Sequence, residues 1–466
     1  MPLQVGYAYR EITPAPGVTL SGFAARCNRP STGVDDPLHV HALACAQEGQ
    51  AVLWLVFDLL ALGSELTEQL HVALDEAIAI PRANRIFCCT HTHSAPATIT
   101  LIGCGIPDPR YWDHLCCLAT DAAREAGGAS RPAEIRTAAV SLPDASYNRC
   151  SILDDGRVAM SMHPDAPVVK SGPIIPIMRL IRFDEPDGRP IAALAQWAAH
   201  PVTVCSQQIS ADYPGELCRR LSARFGLPFL YLQGAAGNIN VPFEHMTREE
   251  MLRNTDGIMD RVANIEWGNA IASTPFTFAT KQVPLRYAPS MKPAELAAMR
   301  DGMGLIADTG HGPEATEAML ANILNVAPGE QPPSDLLRHI AGSLQEWSAR
   351  TLNKMAERQS EIYELHTAVL RVGKLVWCVV AAEPFSETAI ALQTAAPDDI
   401  VMLVGYAAPL VGYLPTAEAL AAGGYESESA YRFYGHPAPF ATESEQIVRE
   451  ALREMVACSG ARALGA

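Results

Sequence analysis

Two histidines one residue apart, His91 and His93 in Thr90-His91-Thr92-His93, are the residues best placed to do chemistry. They follow a short apolar run, Ile86-Phe87-Cys88-Cys89, and precede Ser94-Ala95-Pro96. The run reads as a buried strand and the Ser-Ala-Pro as a turn. Residues two apart in an extended segment point the same way, so both imidazoles face one space at the end of a strand. Two such imidazoles suit a divalent metal, or a metal plus a proton carrier. The plainer reading is two histidines in a polar loop.

Two further polar residues end apolar runs. His200 follows residues 191–199, and Glu383 follows residues 375–382. Enzymes that alternate strands and helices tend to carry catalytic groups at strand ends. By spacing alone, each is as readily a satisfied structural residue as a ligand. The stretch Gln233-Gly234-Ala235-Ala236-Gly237-Asn238-Ile239-Asn240 reads by itself as a tight turn after a strand. A second pair, His39 and His41, precedes an apolar strand instead of ending one, which favours a surface or structural role. Asp58 and Asp212 are candidate hydrogen-bond partners for the strand-end histidines. His436, in Tyr434-Gly435-His436-Pro437, is a further histidine that nothing selects.

The elements that must position these groups are legible in outline. Residues 51–57 read as a buried strand ending at Asp58, and 64–79 as a helix with Ser64 as N-cap and Glu65 in its first turn. The His-Thr-His strand follows, then a helix over 111–126. Residues 191–199 read as a strand ending at His200-Pro201, 213–225 as a helix, and 228–232 as a strand entering the glycine loop. From 251 to 358 the pattern is mostly helical, broken at Pro328-Gly329 and Pro332-Pro333, which suggests a helical insertion or cover. Residues 361–372 and 374–382 read as a hairpin around Gly373, 401–406 as a strand and 443–458 as a closing helix. This order predicts an α/β (α+β) protein of layered, mixed sheets. It is read as one domain over 1–466, with 251–358 inserted and with no internal repeat.

Composition bounds the partners. The 466 residues are 48% hydrophobic and 18% charged, an ordinary globular balance. A net charge of -16 argues against nucleic acid and anionic membrane surfaces as main partners. No stretch approaches the ~18 apolar residues of a membrane span. The start, Met1-Pro2-Leu3-Gln4-Val5, lacks the basic and apolar regions of a secretory signal, so a cytoplasmic location is expected. The twelve cysteines form no CxxC spacing and read as small buried hydrophobes in a reducing compartment. Oligomeric state cannot be read from these features.

Five segments together carry a family resemblance. Thr90-His91-Thr92-His93-Ser94-Ala95-Pro96 resembles the His-Thr-His-Ser-Gly-Pro motif of the neutral/alkaline, non-lysosomal ceramidases. The opening Gly6-Tyr7-Ala8-Tyr9-Arg10-Glu11-Ile12-Thr13-Pro14 with Leu20-Ser21-Gly22-Phe23 is similar to that family's N-terminal segment, and Trp197-Ala198-Ala199-His200 to its second histidine site. The glycine loop is similar to its Gly-Asn/Asp-x-Ser loop. Gly412-Tyr413-Leu414-Pro415-Thr416 with Tyr425-Glu426 is similar to its paired tyrosines. With these motifs in order along nearly its whole length, the chain is identified as a member of the ceramidase-like superfamily. Those ceramidases also carry an immunoglobulin-like C-terminal domain, for which this chain has no room.

The resemblance implies a zinc held by His91, His200, Glu383 and Tyr413. It sets His93 beside the metal, holding substrate or a developing oxyanion, with Arg149 and Tyr425 as partners for that charge. Gly22 and Gly237 would let backbone approach the substrate. The family's serine position falls on Asn240, which can donate to an oxyanion but offers no hydroxyl nucleophile. The expected activity is zinc-dependent hydrolysis of an amide or related acyl bond by attack of metal-bound water, on a small soluble molecule and not on ceramide. Two alternatives stay open. One is a metal-dependent amidohydrolase on a TIM barrel, which would need eight βα units. The other is a non-catalytic binding protein on this scaffold, which would hold no tight zinc.

Overall fold

The computed structural model describes residues 1–159, 166–324, 332–357 and 362–461. Strand β1 (Gln4–Glu11) pairs antiparallel with β2 (His39–Gln47), and β2 with β3 (Gln50–Phe57). Glu48 and Gly49, with φ of 53° and 83°, make the two-residue turn whose twist matches a hairpin. Helix Ser64–Asp75 then carries the chain to β4 (Arg85–Cys89), which lies parallel to β3. A parallel neighbour cannot be reached by a tight turn, so this step needs its crossover helix.

The same order recurs twice. Strands β5 (Glu134–Ser141), β6 (Ile177–Asp184) and β7 (Pro190–Trp197) are antiparallel, and helix Asp212–Phe225 leads to β8 (Phe229–Gln233), parallel to β7. Strands β9 (Phe276–Arg286), β10 (Ile362–Val372) and β11 (Leu375–Val380) are antiparallel, and helix Ser386–Ala395 leads to β12 (Ile400–Val404), parallel to β11. The topology therefore repeats where the residues do not. The chain is an α/β protein with mixed sheets, and this is not the ring of eight βα units that a TIM barrel requires.

All three sheets turn a face to one core. Trp54 of β3, Leu194 of β7 and Trp377 of β11 are buried in it, and the two tryptophans meet edge to face at 6.3 Å. Helices Ser64–Asp75 and Pro109–Gly128 cover the other face of the first sheet, and helices Asp212–Phe225 and Arg248–Val262 that of the second. Between β9 and β10 the chain inserts helices Pro293–Thr309, Glu314–Ile323 and Ser334–Ala356. These pack on Leu60, Ile102, Ala236 and Tyr406, at the ends of strands from all three units.

Several local expectations need correction. Helix Ser64–Asp75 is capped by Gly63, not Ser64, so the N-cap residue offers no side-chain acceptor to its first turn. The stretch 251–358 is not continuously helical. Its first helix, Arg248–Val262, belongs to the second unit, and the 11-residue strand β9 interrupts the rest. β9 is an edge strand with most of its centre exposed, so it lacks the apolar run of an interior strand. Residues 328, 329, 358 and 361 lie outside the described residues. All twelve cysteines are free. Among the described residues no helix is long and apolar enough to cross a membrane.

Candidate metal centre

The carboxyl ends of the parallel strand pairs meet. Cys89 N, ending β4, donates to Tyr406 O beyond β12 at 3.1 Å. Gly405 N donates to Gln233 O, ending β8, at 3.1 Å. Gln233 Nε2 donates to Thr90 O at 3.3 Å, closing the circuit. Each unit sends one polar side chain toward the junction: His91 after β4, His200 after β7 and Glu383 after β11.

His91 does not lie on a strand. β4 ends at Cys89, and His91 sits in the left-handed region at φ 70°, an uncommon conformation for a residue with a Cβ. The pleat therefore does not align His91 with His93; the turn at His91 does. Their rings meet nearly edge to face with centroids 4.9 Å apart. His91 Nδ1 donates to Leu60 O at 2.8 Å, and His200 Nδ1 to Ala236 O at 2.6 Å. A carbonyl can only accept, so each neutral ring keeps its proton on Nδ1 and presents a bare Nε2.

Those lone pairs face each other. His91 Nε2 lies 3.1 Å from His200 Nε2, and Glu383 Oε2 lies 3.3 Å and 3.4 Å from the two. Glu383 Oε2 is buried and has no hydrogen-bond donor among the described residues. Three acceptors turned on one another in a dry space repel unless a cation sits between them. Donors about 2.1 Å from a tetrahedral zinc stand roughly 3.3 Å apart, so these spacings fit one ion. Burial, then Arg149, hold the His200 imidazole down at about 3, which keeps it neutral.

His93 Nε2 is 3.3 Å from His91 Nε2, and the nitrogens of His91, His93 and His200 gather within 4.8 Å. Distance alone therefore does not divide ligand from bystander. Among the described residues His93 Nδ1 is buried without a hydrogen-bond partner, so nothing fixes its tautomer. Burial first, then the two neighbouring histidines, hold it well below the usual histidine range. Its carbonyl is held by Arg26 Nη1 at 2.6 Å, and Arg26 Nη2 reaches Ser94 Oγ at 2.9 Å.

Arg149 is the hub of the opposite wall. It is 4% exposed and pairs with Glu426 at 2.7 Å. It also donates to Asn240 Oδ1 at 3.1 Å, Gly237 O at 2.9 Å and the Tyr413 hydroxyl at 2.9 Å. Burial, then the charge of Glu383, push the Tyr413 hydroxyl well above its ordinary range, so by itself it is a neutral phenol. The Tyr413 ring lies parallel to that of His200 with centroids 6.3 Å apart, and the Tyr425 ring meets Tyr413 edge-on at 6.1 Å. Asn240 donates its amide to the Tyr147 hydroxyl at 3.3 Å, so both ends of that side chain are engaged.

Two glycines make room for residues of the centre. A Cβ on Gly22 would lie 2.5 Å from His93 Cγ, and one on Gly237 would lie 2.7 Å from Glu383 O. Asp58 and Asp212 do not support the strand-end histidines. Asp58 accepts from His39 N at 2.9 Å, and Asp212 accepts from Thr203 N at 3.1 Å and Tyr213 N at 2.6 Å. Backbone carbonyls take the expected place because the turns at Leu60 and Ala236 bring them within reach. His436 is structural: its ring bonds Tyr287 and the Val411 carbonyl. His39 and His41 lie in β2 itself and not before it. Sequence reasoning missed Tyr434, whose hydroxyl donates to Glu383 Oε1, and Arg26. Tyr434 stands two residues before His436, inside a segment inspected only for its histidine.

No protein-family model and no curated protein matches the chain. Solved structures do. A neutral ceramidase from Pseudomonas aeruginosa superposes with a TM-score of 0.67 at 18% identity, over 99% of this chain and 75% of that one. A ceramidase complexed with C2 gives 0.67 at 17% identity, over 99% and 76%. The chain thus has a ceramidase-like fold.

Proposed function

We propose that this chain is a zinc-dependent hydrolase that cleaves an amide or related acyl bond of a small soluble substrate. The observation that carries the reading is the set of three acceptors, His91 Nε2, His200 Nε2 and Glu383 Oε2, facing one another within 3.4 Å. Tyr413 is the fourth ligand in this reading, and a cation beside it is what would draw off its proton. A bound zinc supplies a lowered water pKa and a polarised acyl carbonyl.

The chain's own residues do the rest. Neutral His93, with an unpaired Nδ1, takes up a proton and returns it to the leaving group. Burial lowers the pKa of Arg149, but Tyr413 and Glu426 outweigh it, so Arg149 stays cationic and offsets negative charge developing on the acyl oxygen. Tyr425 adds a hydroxyl to the same wall. Asn240 cannot form an acyl-enzyme; its amide at most steadies an oxyanion. The fold is that of ceramidases, while the net charge of -16 disfavours docking on anionic bilayers, so a cytoplasmic, non-lipid substrate is preferred.

The test combines metal analysis with turnover. Purified protein should hold zinc, lose activity to a chelator and regain it with zinc, and ignore a serine-directed fluorophosphonate. Short N-acyl compounds should be cleaved and ceramide in micelles should not. A covalent adduct trapped in residues 234–242 during turnover would sink the mechanism, and efficient ceramide cleavage would sink the substrate assignment.

A further inference from the structure

The second histidine pair lies outside the centre described above. The pleat of β2 turns His39 and His41 to one face, with ring centroids 5.8 Å apart. Asp58, just past the end of β3, is locked to His39 by two backbone bonds. Asp58 N donates to His39 O at 2.9 Å, and His39 N donates to Asp58 Oδ2 at 2.9 Å. The same oxygen stands 3.8 Å from His39 Nδ1, and one donor atom from each of His39, His41 and Asp58 lies within 4.8 Å of the other two.

The chemistry of the three groups points to a cation. Asp58 is 4% exposed, and among the described residues no lysine or arginine pairs with it. A buried carboxylate without a counter-charge is costly. The Tyr7 hydroxyl, 2.8 Å from His41 Nδ1, orients that ring much as carbonyls orient His91 and His200.

We propose that His39, His41 and Asp58 form a second metal site, which takes a divalent cation of the zinc class and ties the start of β2 to the end of β3. Two imidazole nitrogens and one carboxylate oxygen are a donor set that zinc accepts, with its remaining position open to water. His39, whose side chain is 27% exposed, stands 3.8 Å from the Asp58 oxygen.

The test is a count. Metal-free chain is reloaded with zinc, desalted and analysed for bound metal. Wild type should hold two equivalents, and a His39→Ala/His41→Ala chain one. His200→Ala should also hold one, and the three changes together none. If the reading of the first centre is wrong, His200→Ala loses nothing while the His39→Ala/His41→Ala loss persists. Cobalt(II) added to the His200→Ala chain, where the second site is intact, should give one bound ion whose visible absorption disappears with Asp58→Asn. That measurement stands even if the double-alanine chain does not fold. A double variant that binds as much zinc as wild type, or a His200→Ala chain that binds no cobalt, overturns the proposal.

Discussion

Two His-x-His pairs belong to the first repeat of this fold, and their surroundings differ. His39 and His41 sit on a regular strand, spread by the pleat to 5.8 Å between ring centroids, and their carboxylate comes from the neighbouring strand of the same sheet. His91 and His93 lie beyond a strand end, drawn to 4.9 Å by a left-handed residue. Their partners, His200 and Glu383, come from the other two repeats. The same tripeptide spacing thus yields a local cluster in one place and a three-way junction in the other. The junction, where charge is enclosed on all sides, is where chemistry is expected.

The comparison breaks most sharply on activity. His200→Ala should remove several kcal/mol of charge stabilisation and lower kcat/KM by roughly 10³-fold, while His41→Ala should leave it within about 3-fold. Steady-state kinetics on a short N-acyl substrate reads both. Equal losses would mean the two clusters are one functional unit. Next, His93→Ala should cost about 10²-fold in kcat with zinc retained, the scale of a lost proton carrier. Loss of metal in that variant would move His93 among the ligands.

A finer contrast lies in the hydrogen bonds behind the donors. Tyr434→Phe frees Glu383 Oε1 and should weaken metal affinity at the junction by about 10-fold or more, as outer-shell losses do. Tyr7→Phe should leave that affinity unchanged, and competition against a chromogenic chelator compares them. The smallest effect is expected at Asn240. Asn240→Ser weakens a charge-assisted contact from Arg149 of a kind worth about 1.5–3 kcal/mol but keeps an oxygen acceptor there, so activity should change by roughly tenfold or less. A larger gain in amide cleavage would show that the serine of ceramidases does more than hold an oxyanion.

What could be read along the chain follows from how local each signal is. β3, β4, β7, β8, β11 and β12 are short apolar runs bounded by turns, and the crossover helices between them have their own periodicity. β5 and β6 were missed because Arg136, Arg179 and Arg182 break their apolar pattern, and β9 because its centre is exposed at a sheet edge. The threefold topology left no trace in the residues, since each repeat fills its share of the core differently: Trp54, Leu194 and Trp377 occupy it from the three sheets.

By itself the sequence determined which residue types stand at strand ends and in what order: His91, His93, His200, Glu383, Tyr413, and Asn240 in place of a serine. Hydrogen-bond partners and tautomers it left open. That the Leu60 and Ala236 carbonyls accept from the outer nitrogens and keep the proton there, that Tyr434 and not an aspartate braces Glu383, and that Asp58 turns to His39 were decided by tertiary structure. The reason is physical: such bonds depend on where residues 19 to 51 positions apart arrive in space, to within a few tenths of an ångström, and no local pattern encodes that distance.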